Sequence, residues 1–307
     1  MESQGLLITI TGPTASGKTA IAAELARKYN TVVISCDSRQ IYREMCIGTA
    51  VPEPEYRAMA PHFFVQSHSI FQPINANDFG ELVRDKLKEL FKSYPIVFMV
   101  GGSGLYIDAV VRGIDDIPSP DPQIRTQLQN RIEQGELSKL QEELKCFDPL
   151  YFSRIDIQNP RRILRGLEVY YSCGKPLSSF LGSHKERWFQ SVILVLEMDR
   201  ERLYQRINQR VIRMIEQGLV AEAQGLYSHK EKHALQTVGY QELFDFFDKK
   251  ITLDQAIEKI QKNTRQFARK QENWFRRYDE AIRVNAQHDS SIQRVVEVIA
   301  ENYQNQD

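Results

Sequence analysis

The stretch from Gly12 to Thr19 reads GPTASGKT and directly follows the apolar run Leu6–Ile10. It matches the pattern G-x-x-x-x-G-K-[ST] at every fixed position. Glycines let such a loop curl so that several backbone N–H groups point inward, the lysine adds a positive charge, and the final hydroxyl can ligate Mg²⁺. The helix that we predict from Lys18 to about Tyr29 directs its positive dipole end at the same place. The chain therefore opens with a strand, a phosphate-binding loop and a helix, and we expect a ligand with a phosphate or diphosphate group, not necessarily ATP.

Short apolar runs rich in β-branched residues alternate with helical patterns, which predicts a parallel sheet covered by helices on both faces. The runs are Leu6–Ile10, Val32–Cys36, Ile96–Val100 and Val192–Leu196. The predicted fold class is an α/β core of the P-loop nucleoside-triphosphate-hydrolase type. We expect Asn77 to cap a helix that ends near Ser93, and Asp199 to cap a long helix that ends near Gln217, with mostly helical sequence after it.

The pattern changes between Ile114 and about Glu186. The prolines Pro118, Pro120 and Pro122 open a segment of short charged helices without a strand pattern. Asn159 and Pro160 predict the start of a further helix over Arg161–Tyr171. We therefore predict an all-helical insertion domain at 118–186, within a core formed by 1–117 and 187–307.

The composition restricts the class of protein. With 307 residues, 42% of them hydrophobic and 26% charged, the chain is expected to be globular. Lysine plus arginine equals aspartate plus glutamate at 40 each, which argues against a large non-specific nucleic-acid binder. The cysteines Cys36, Cys46, Cys146 and Cys173 form no C-x-x-C pair, so neither a zinc ribbon nor a disulfide framework is indicated. No leader and no membrane-spanning run is recognisable, so we expect a soluble, cytoplasmic protein.

Two stretches are locally basic. The first runs from Arg154 to Arg187 and contains Arg161, Arg162, Arg165, Lys175 and Lys185. The second, from Lys262 to Arg283, contains Arg265, Arg269, Lys270, Arg276 and Arg277 interleaved with Phe267, Trp274, Phe275 and Tyr278. Cations mixed with aromatic rings suit phosphate contact and base stacking, but solvated amphipathic helices have the same pattern. The residues alone leave both interpretations open.

Asp37 follows the second predicted strand, which we expect beside the strand of the phosphate loop. Ligands collect at the carboxyl edge of such sheets. A carboxylate there can bind Mg²⁺ through water or accept a proton from a nucleophile, whereas the alternative role is a helix N-cap.

The third predicted strand runs into the glycine-rich turn Gly101–Tyr106, which lacks the G-x-G-x-x-G spacing. The turn either lets the backbone approach a ligand or is simply tight. P-loop ATPases usually hold Mg²⁺ with an aspartate at the end of a core strand. No aspartate ends this strand, so the sequence does not favour ATP hydrolysis.

Arg202, Arg206, Arg210 and Arg213 recur on one face of the helix predicted after Asp199. Such a row is either a solvated flank or a source of guanidinium groups for a departing diphosphate. Position alone does not choose between these roles.

Taken together and in order, the motifs resemble the bacterial tRNA dimethylallyltransferase family. The matching segments are GPTASGKT, Cys36–Tyr42, Ile47–Ala50, Ala60–His62, Asp78-Phe79, Gly101–Tyr106, Asn159–Arg162, Arg206–Arg210, Gly218-Leu219 with Glu222, Val238–Tyr240, and Thr264–Gln271 followed by Trp274-Phe275. They span nearly the whole chain, so the resemblance is far more specific than the phosphate loop. The chain departs from the family at Ser103, where threonine is frequent, and at Ile74–Asn77, where Tyr-Ser is common.

The resemblance implies transfer of a dimethylallyl group from dimethylallyl diphosphate to N6 of the adenosine just 3′ of the anticodon, in tRNAs that read codons beginning with U. It implies that the diphosphate is held by Gly12, Pro13, Thr14, Ala15, Ser16, Gly17, Lys18, Thr19 and Arg210, with Mg²⁺ near Thr19. Asp37 would act as base or orienting acceptor, so the predicted catalytic residues are Lys18, Thr19, Asp37 and Arg210. The adenine would have to leave the anticodon-loop stack.

By the same resemblance, the residues facing tRNA would be Asp37, Ser38, Arg39, Gln40, Ser103, Arg125, Arg161, Arg162, Arg165, Arg269, Lys270 and Gln271. The helical insertion would clasp the anticodon stem-loop. We expect the chain to act as a monomer.

Two alternatives remain on the sequence alone. A P-loop kinase that phosphorylates a small metabolite would explain the first hundred residues equally well but leaves the segment Arg265–Tyr278 without a role. A non-catalytic RNA-binding adaptor would use the phosphate loop only structurally.

Overall fold

A parallel sheet lies at the centre of the larger of two compact units into which the chain divides. The structure, a computed structural model, describes residues 5–118, 120–182, 187–287 and 289–304. The larger unit comprises Met1–Arg112 and Arg187–Asp307, and the smaller one comprises Gly113–Glu186. Lys185 of the predicted basic stretch lies outside the described residues.

The sheet has six strands in the order β3-β2-β4-β1-β5-β6, and all neighbouring pairs are parallel. The strands are β1 (Leu6–Thr11), β2 (Val33–Ser35), β3 (His62–Phe63), β4 (Ile96–Val100), β5 (Gln190–Glu197) and β6 (Ile282–Asn285). The helices of this unit are α1 (Lys18–Lys28), α2 (Pro54–Met59), α3 (Ala76–Leu90), α4 (Gly104–Val111), α9 (Arg200–Glu216), α10 (Leu219–Leu226), α11 (Tyr240–Phe247), α12 (Leu253–Phe275) and α13 (Asp289–Gln304). The predicted α/β fold class and its four strands are confirmed.

The central strands are buried on both faces. On one face Ile8 and Ile10 of β1 pack in a single cluster with Leu25 of α1 and Val296 of α13. Leu7 is also fully buried on the opposite side of the same strand. Helical cover on both sides explains why these strands read as continuous apolar runs.

Two details of the predicted core are wrong. β4 lies between β1 and β2, so the strand before Asp37 is not adjacent to the strand of the phosphate loop. The region after α9 is mostly helical as predicted, with the four-residue strand β6 as an addition. The cap of α3 is Asn75, whose side chain accepts a hydrogen bond from the N–H of Asp78, while Asn77 lies inside the first turn. The cap predicted at Asp199 is confirmed, since its carboxylate accepts from the N–H groups of Glu201 and Arg202.

The regular secondary structure of the smaller unit is entirely helical within its described residues. Its helices are α5 (Pro122–Glu133), α6 (Leu137–Phe147), α7 (Pro149–Phe152) and α8 (Pro160–Cys173), with a 3₁₀ turn at Leu177–Phe180. Asn159 caps α8 through the N–H of Arg161. Leu128, Leu140, Leu144, Ile163 and Leu167 form a separate small core. Within the described part of the chain, no helix is long and apolar enough to cross a membrane.

Candidate active site

The phosphate loop connects β1 to α1 and needs glycine at both ends. Gly12 has φ of 146°, and a Cβ placed on it would lie 2.6 Å from the carbonyl oxygen of Leu196. Gly17, with φ of 96°, precedes the first residue of α1. Both positions favour glycine, because side chains rarely adopt positive φ. The loop therefore places the N-terminus of α1 at the carboxyl edge of the sheet.

Two cations converge on this loop. The ammonium group of Lys18 donates to the carbonyl oxygen of Pro13 at 2.7 Å, and Nη1 of Arg210 donates to Oγ1 of Thr14 at 3.1 Å. Burial of the ammonium group and the charge of Arg210 lower the pKa of Lys18 to about 7, although Asp37 opposes this shift. Burial also lowers the pKa of Arg210. This wall of the site holds desolvated positive charge that an anion would stabilise.

The two carboxylate oxygens of Asp37 differ in their hydrogen bonds: Oδ1 holds a turn, whereas Oδ2 is available to a ligand. Oδ1 accepts hydrogen bonds from the N–H groups of Arg39 at 2.8 Å and Gln40 at 3.2 Å, so it caps the turn after β2. No described residue donates a hydrogen bond to Oδ2, and Asp37 lines a cavity together with Lys18 and Arg210. The capping role and an acceptor role thus fall on different oxygens of one carboxylate.

The glycine-rich turn after β4 packs against the loop of Asp37. A Cβ on Gly101 would lie 1.9 Å from the carbonyl oxygen of Cys36. The hydroxyl of Ser103 accepts from the N–H of Ser38 at 2.9 Å. Gly101 is therefore explained by the close approach of the two chain segments. Neither approach of a ligand nor a tight turn alone is needed to explain it. Ser103 retains its hydroxyl for fixing this loop.

Gln271 of α12 joins the phosphate loop to the glycine-rich turn. Its side chain is 7% exposed. Oε1 accepts from the N–H of Thr14 at 2.8 Å, and Nε2 donates to the carbonyl oxygen of Gly102 at 2.9 Å. Its neighbours Arg269 and Lys270 are exposed. Gln271 was predicted to face tRNA, but its amide is buried and engaged in holding two loops together.

The cavity has a volume of about 250 Å³ and two chemically different walls. The polar wall is formed by Thr14, Lys18, Thr19, Asp37, Ser38, Arg39, Gln40, Ser103 and Arg210. The apolar wall is formed by Ile207, Val211, Met214, Val238, Ile260 and Phe267. Seen together, they would suit a ligand with one charged and one apolar end.

The row of arginines on α9 divides between two roles. Arg206 and Arg213 line a neighbouring cavity of about 260 Å³ that shares Lys18, Thr19 and Arg210 with the first. Arg202 instead donates to Oε1 of Gln287. Three of the four arginines therefore face the phosphate loop.

Sequence reasoning gave no role to Glu222, although it lies in a matching segment. Its carboxylate accepts from the N–H groups of Cys46, Ile47 and Gly48 at 2.8–3.0 Å and from the hydroxyl of Tyr240 at 2.6 Å. Gly48 lines the cavity, so Glu222 fixes part of its wall. The partners are far apart in sequence, and no spacing rule relates them. The only sequence signal for Glu222 was that Gly48, Glu222 and Tyr240 each lie in a segment that matches the family.

The predicted tRNA-facing residues separate into three groups. Asp37, Ser38, Arg39, Gln40 and Ser103 line the cavity. Arg269 and Lys270 are exposed on α12.

Apart from the buried Gln271 of α12, the other four predicted residues belong to the smaller unit. Arg125, Arg161 and Arg162 are exposed there, and Arg165 is half-buried. The guanidinium of Arg125 also lies 3.4 Å from Glu168.

The donors available for a cation are few. Within the described residues, no cluster of three or more His, Cys, Asp or Glu side chains is arranged to hold a metal. Thr19 and Asp37 do supply oxygen donors to the same cavity. Mg²⁺ is usually held by one or two protein oxygens together with phosphate oxygens and water. The donor set therefore fits Mg²⁺ bound jointly with a diphosphate, and not a metal held by protein alone.

Fold and site together define an α/β protein of the P-loop class, in which a phosphate loop, desolvated cations and a carboxylate share a cavity at the carboxyl edge of the sheet. Residues 40–278 match the model of the family described as IPP transferase. The tRNA dimethylallyltransferase of Flavobacterium psychrophilum is 48% identical over 300 residues, which cover 95% of this chain and 97% of that protein. The tRNA dimethylallyltransferase of Christiangramia forsetii is 49% identical over 272 residues, covering 88% and 90%. The chain belongs to the IPP transferase family.

Solved structures agree with this assignment. The full-length tRNA isopentenylpyrophosphate transferase of Bacillus halodurans superposes with a TM-score of 0.72 at 32% identity, and 98% of each chain is covered. A eukaryotic dimethylallyltransferase acting on tRNA has a TM-score of 0.80 over 98% of this chain and 80% of that one, but at 23% identity it supports the fold alone. The family predicted from the sequence motifs, and with it the class of tRNA prenyltransferase, is confirmed.

Proposed function

We propose that this protein transfers a dimethylallyl group from dimethylallyl diphosphate to N6 of the adenosine directly 3′ of the anticodon, in tRNAs that read codons beginning with U. The products are N6-(dimethylallyl)adenosine in tRNA and diphosphate. The observation that carries the proposal is one cavity in which desolvated cations, a carboxylate and an apolar wall meet. The alternative of a metabolite kinase is not favoured, since the relatives are tRNA dimethylallyltransferases.

The phosphate loop binds the diphosphate of the donor. Backbone N–H groups between Gly12 and Thr19, the ammonium of Lys18 and the guanidinium of Arg210 supply the positive charge. Desolvation has already lowered the pKa values of both cations, so an entering anion restores favourable interactions for them. The same groups stabilise the charge that develops on the leaving diphosphate as its bond to the allylic carbon breaks.

The apolar wall receives the dimethylallyl group. Ile207, Val211 and Met214 lie on α9, beside the arginines, and Ile260 lies on α12. Because the charged and apolar walls adjoin, a donor whose diphosphate occupies the loop presents its hydrocarbon end to these side chains. Apolar side chains around the reacting carbon would reduce its contact with water.

Asp37 receives the proton of the adenine amine. An exocyclic amine is a poor nucleophile, so removal of its proton as the N6–carbon bond forms lowers the barrier. Oδ1 holds the turn through Arg39 and Gln40, which leaves Oδ2 for the amine. The adenine reaches this oxygen only after leaving the anticodon-loop stack. Atoms balance, since the amine gains the allyl carbon and loses one proton while diphosphate leaves with the bonding electrons.

Magnesium is the cofactor in this proposal. Thr19 would hold it, with phosphate oxygens of the donor and water completing the coordination. When bound, the ion supplies positive charge to the diphosphate. Lys18 and Arg210 neutralise the other diphosphate oxygens.

The tRNA is bound through its phosphates by cations that are exposed or half-buried. Arg39 lies at the cavity, Arg269 and Lys270 lie on α12, and the insertion unit contributes Arg125, Arg161, Arg162 and Arg165. Gln271 acts as a positioning residue in this scheme. A single chain supplies every residue of the proposed site, so we take the monomer as the active form.

The test is to incubate the purified protein with Mg²⁺, unmodified tRNA carrying an adenosine 3′ of its anticodon, and either dimethylallyl diphosphate or ATP. The tRNA is then digested and its nucleosides are weighed by mass spectrometry. We expect a dimethylallyl mass increment on that adenosine with the prenyl donor only. Unmodified tRNA from folded protein, with ATP consumed on a small acceptor, would contradict the proposal and support the kinase.

A further inference from the structure

Phe71 is displayed to solvent by a turn that is firmly held. The side chain is 52% exposed, the highest fraction among the large apolar side chains that the structure describes, while its neighbour Ile70 is 1% exposed. The carboxylate of Glu44 accepts from the hydroxyl of Ser69 at 2.5 Å and from the N–H of Ile70 at 3.1 Å. The N–H of Gln72 donates to the carbonyl oxygen of Ser69 at 3.0 Å. Buried anchoring beside an exposed ring indicates a contact residue rather than a loose loop.

Cationic and imidazole groups surround the ring. The ammonium of Lys232 lies 4.8 Å from the centroid of the Phe71 ring, and the ring of His229 packs edge-on at 4.9 Å. Arg43 is exposed, and its guanidinium donates to the carbonyl oxygen of His68 in the same turn. Glu231, next to Lys232 in the chain, is exposed and offsets one of these charges.

This patch is linked to the cavity through Arg39. Nη1 of Arg39 donates to the carbonyl oxygen of His233 at 3.4 Å, and Arg39 and Thr237 both line the cavity. Arg39 is also bonded through its N–H to Asp37. We name Arg39, Arg43, Phe71, His229 and Lys232 the Phe71 surface.

We propose that the Phe71 surface binds the anticodon loop of tRNA, with the ring of Phe71 stacking on an unpaired base near the flipped adenosine. This inference rests on the function proposed above. Single-stranded bases are recognised by stacking on exposed aromatic rings, while neighbouring cations contact the phosphates. An exposed aromatic ring that is flanked by cations and linked to the cavity through Arg39 provides both features. Removing an adenine from the loop stack also exposes a neighbouring base face, and Phe71 would cover it.

The test uses an anticodon stem-loop RNA in which 2-aminopurine replaces the base directly 5′ of the target adenosine. Stacking quenches its fluorescence, so titration reports both affinity and contact. We expect Phe71→Ala to weaken binding about 5- to 150-fold, as expected for the loss of one stacked base, and to abolish the quenching. Phe71→Trp should retain both. The KM for dimethylallyl diphosphate should stay unchanged in both variants.

Leu82→Ala is the matched control, since Leu82 is a large apolar residue of α3 with 43% exposure. It should bind the stem-loop like the unaltered protein. Equal affinity and quenching in Phe71→Ala would overturn the inference while leaving the transferase proposal intact. Failure of the unaltered protein to bind the stem-loop would overturn both.

Discussion

In the larger unit Lys18 and Arg210 hydrogen-bond to the phosphate loop from inside the site, whereas in the insertion unit Arg161 and Arg162 are exposed at the start of α8. The first pair is desolvated and directed at one small space. The second pair faces water, where salt screens its interactions over roughly 10 Å. Arg131, a third kind of cation, is tied to Glu136 and Glu143 within the insertion unit.

The comparison shows that positive charges of the same kind have different roles in the two units, because one pair is desolvated and the other is exposed. A desolvated charge acts through its position, so that moving or removing it changes the chemistry at one atom. An exposed charge acts through number and sign, and its loss is partly replaced by neighbours. Substitutions in the cavity should therefore change rates and donor binding steeply, while those on α8 should change only the affinity for tRNA and its salt dependence.

The largest effect is expected for Asp37→Asn. Asparagine can still accept from the N–H groups of Arg39 and Gln40, so the turn is preserved while the basic oxygen is lost. We expect kcat to fall by roughly 10²- to 10⁴-fold with tRNA affinity little changed. Single-turnover transfer and stem-loop binding measure the two effects. Unchanged turnover would show that Asp37 is not the base, although it lines the cavity.

The second prediction concerns pH and Lys18. With a pKa of about 7, Lys18 is charged below that pH and neutral above it, so affinity for a diphosphate should fall as pH rises through 7. One proton linked to binding permits at most about a tenfold change per pH unit. Calorimetry with inorganic diphosphate between pH 6 and 9 measures this dependence.

Lys18→Arg is the control, because a guanidinium remains charged over this range and the titration of the ligand itself is common to both proteins. Its affinity should depend less on pH above 7. Parallel curves for the two proteins would mean that Lys18 keeps its charge in the free site.

A third prediction compares two neighbouring residues of α12: Gln271, which positions loops of the site, and Lys270, which carries an exposed charge. Gln271→Met preserves length but leaves the N–H of Thr14 and the carbonyl of Gly102 without their partner, at about 1–3 kcal/mol for each buried group. We expect the KM for dimethylallyl diphosphate to rise about tenfold and the KM for tRNA to stay unchanged. Lys270→Ala, one residue earlier and exposed, should raise the KM for tRNA alone. If Gln271→Met weakened tRNA as Lys270→Ala does, Gln271 would be a tRNA contact after all.

The strands could be predicted from the sequence where burial on both faces produces a continuous run of apolar residues. The four predicted strands are apolar along their length because helices cover both faces of the sheet. β3 and β6 have two and four residues, and most of their side chains are exposed or half-buried, so they leave no such run. Strand order was beyond the sequence as well, because the pattern before Asp37 is the same whether or not β4 intervenes. Asn75 and Asn77 offer the same capping side chain, and only the backbone distinguishes them.

The site shows the same division. Gly12–Thr19 could be predicted because its residues act together through spacing along the chain. Glu222 could not, since its partners at Cys46–Gly48 are brought to it only by the fold. The family resemblance assigned Gln271 to tRNA together with Arg269 and Lys270, whereas its burial depends on the packing of α12.

The smallest effect is expected on α8. Arg161→Ala and Arg162→Ala should each lower the slope of log affinity for tRNA against log salt concentration by about 0.7, the value for one phosphate contact on a single strand, and should leave kcat unchanged. Binding titrations from low to physiological salt measure the slope. Arg131→Met removes a cation of the same unit that is paired with Glu136 and Glu143, so it should lower thermal stability without changing the slope. If the α8 variants instead lowered kcat at saturating tRNA, an exposed cation would be acting through position, and the distinction between the two units would fail.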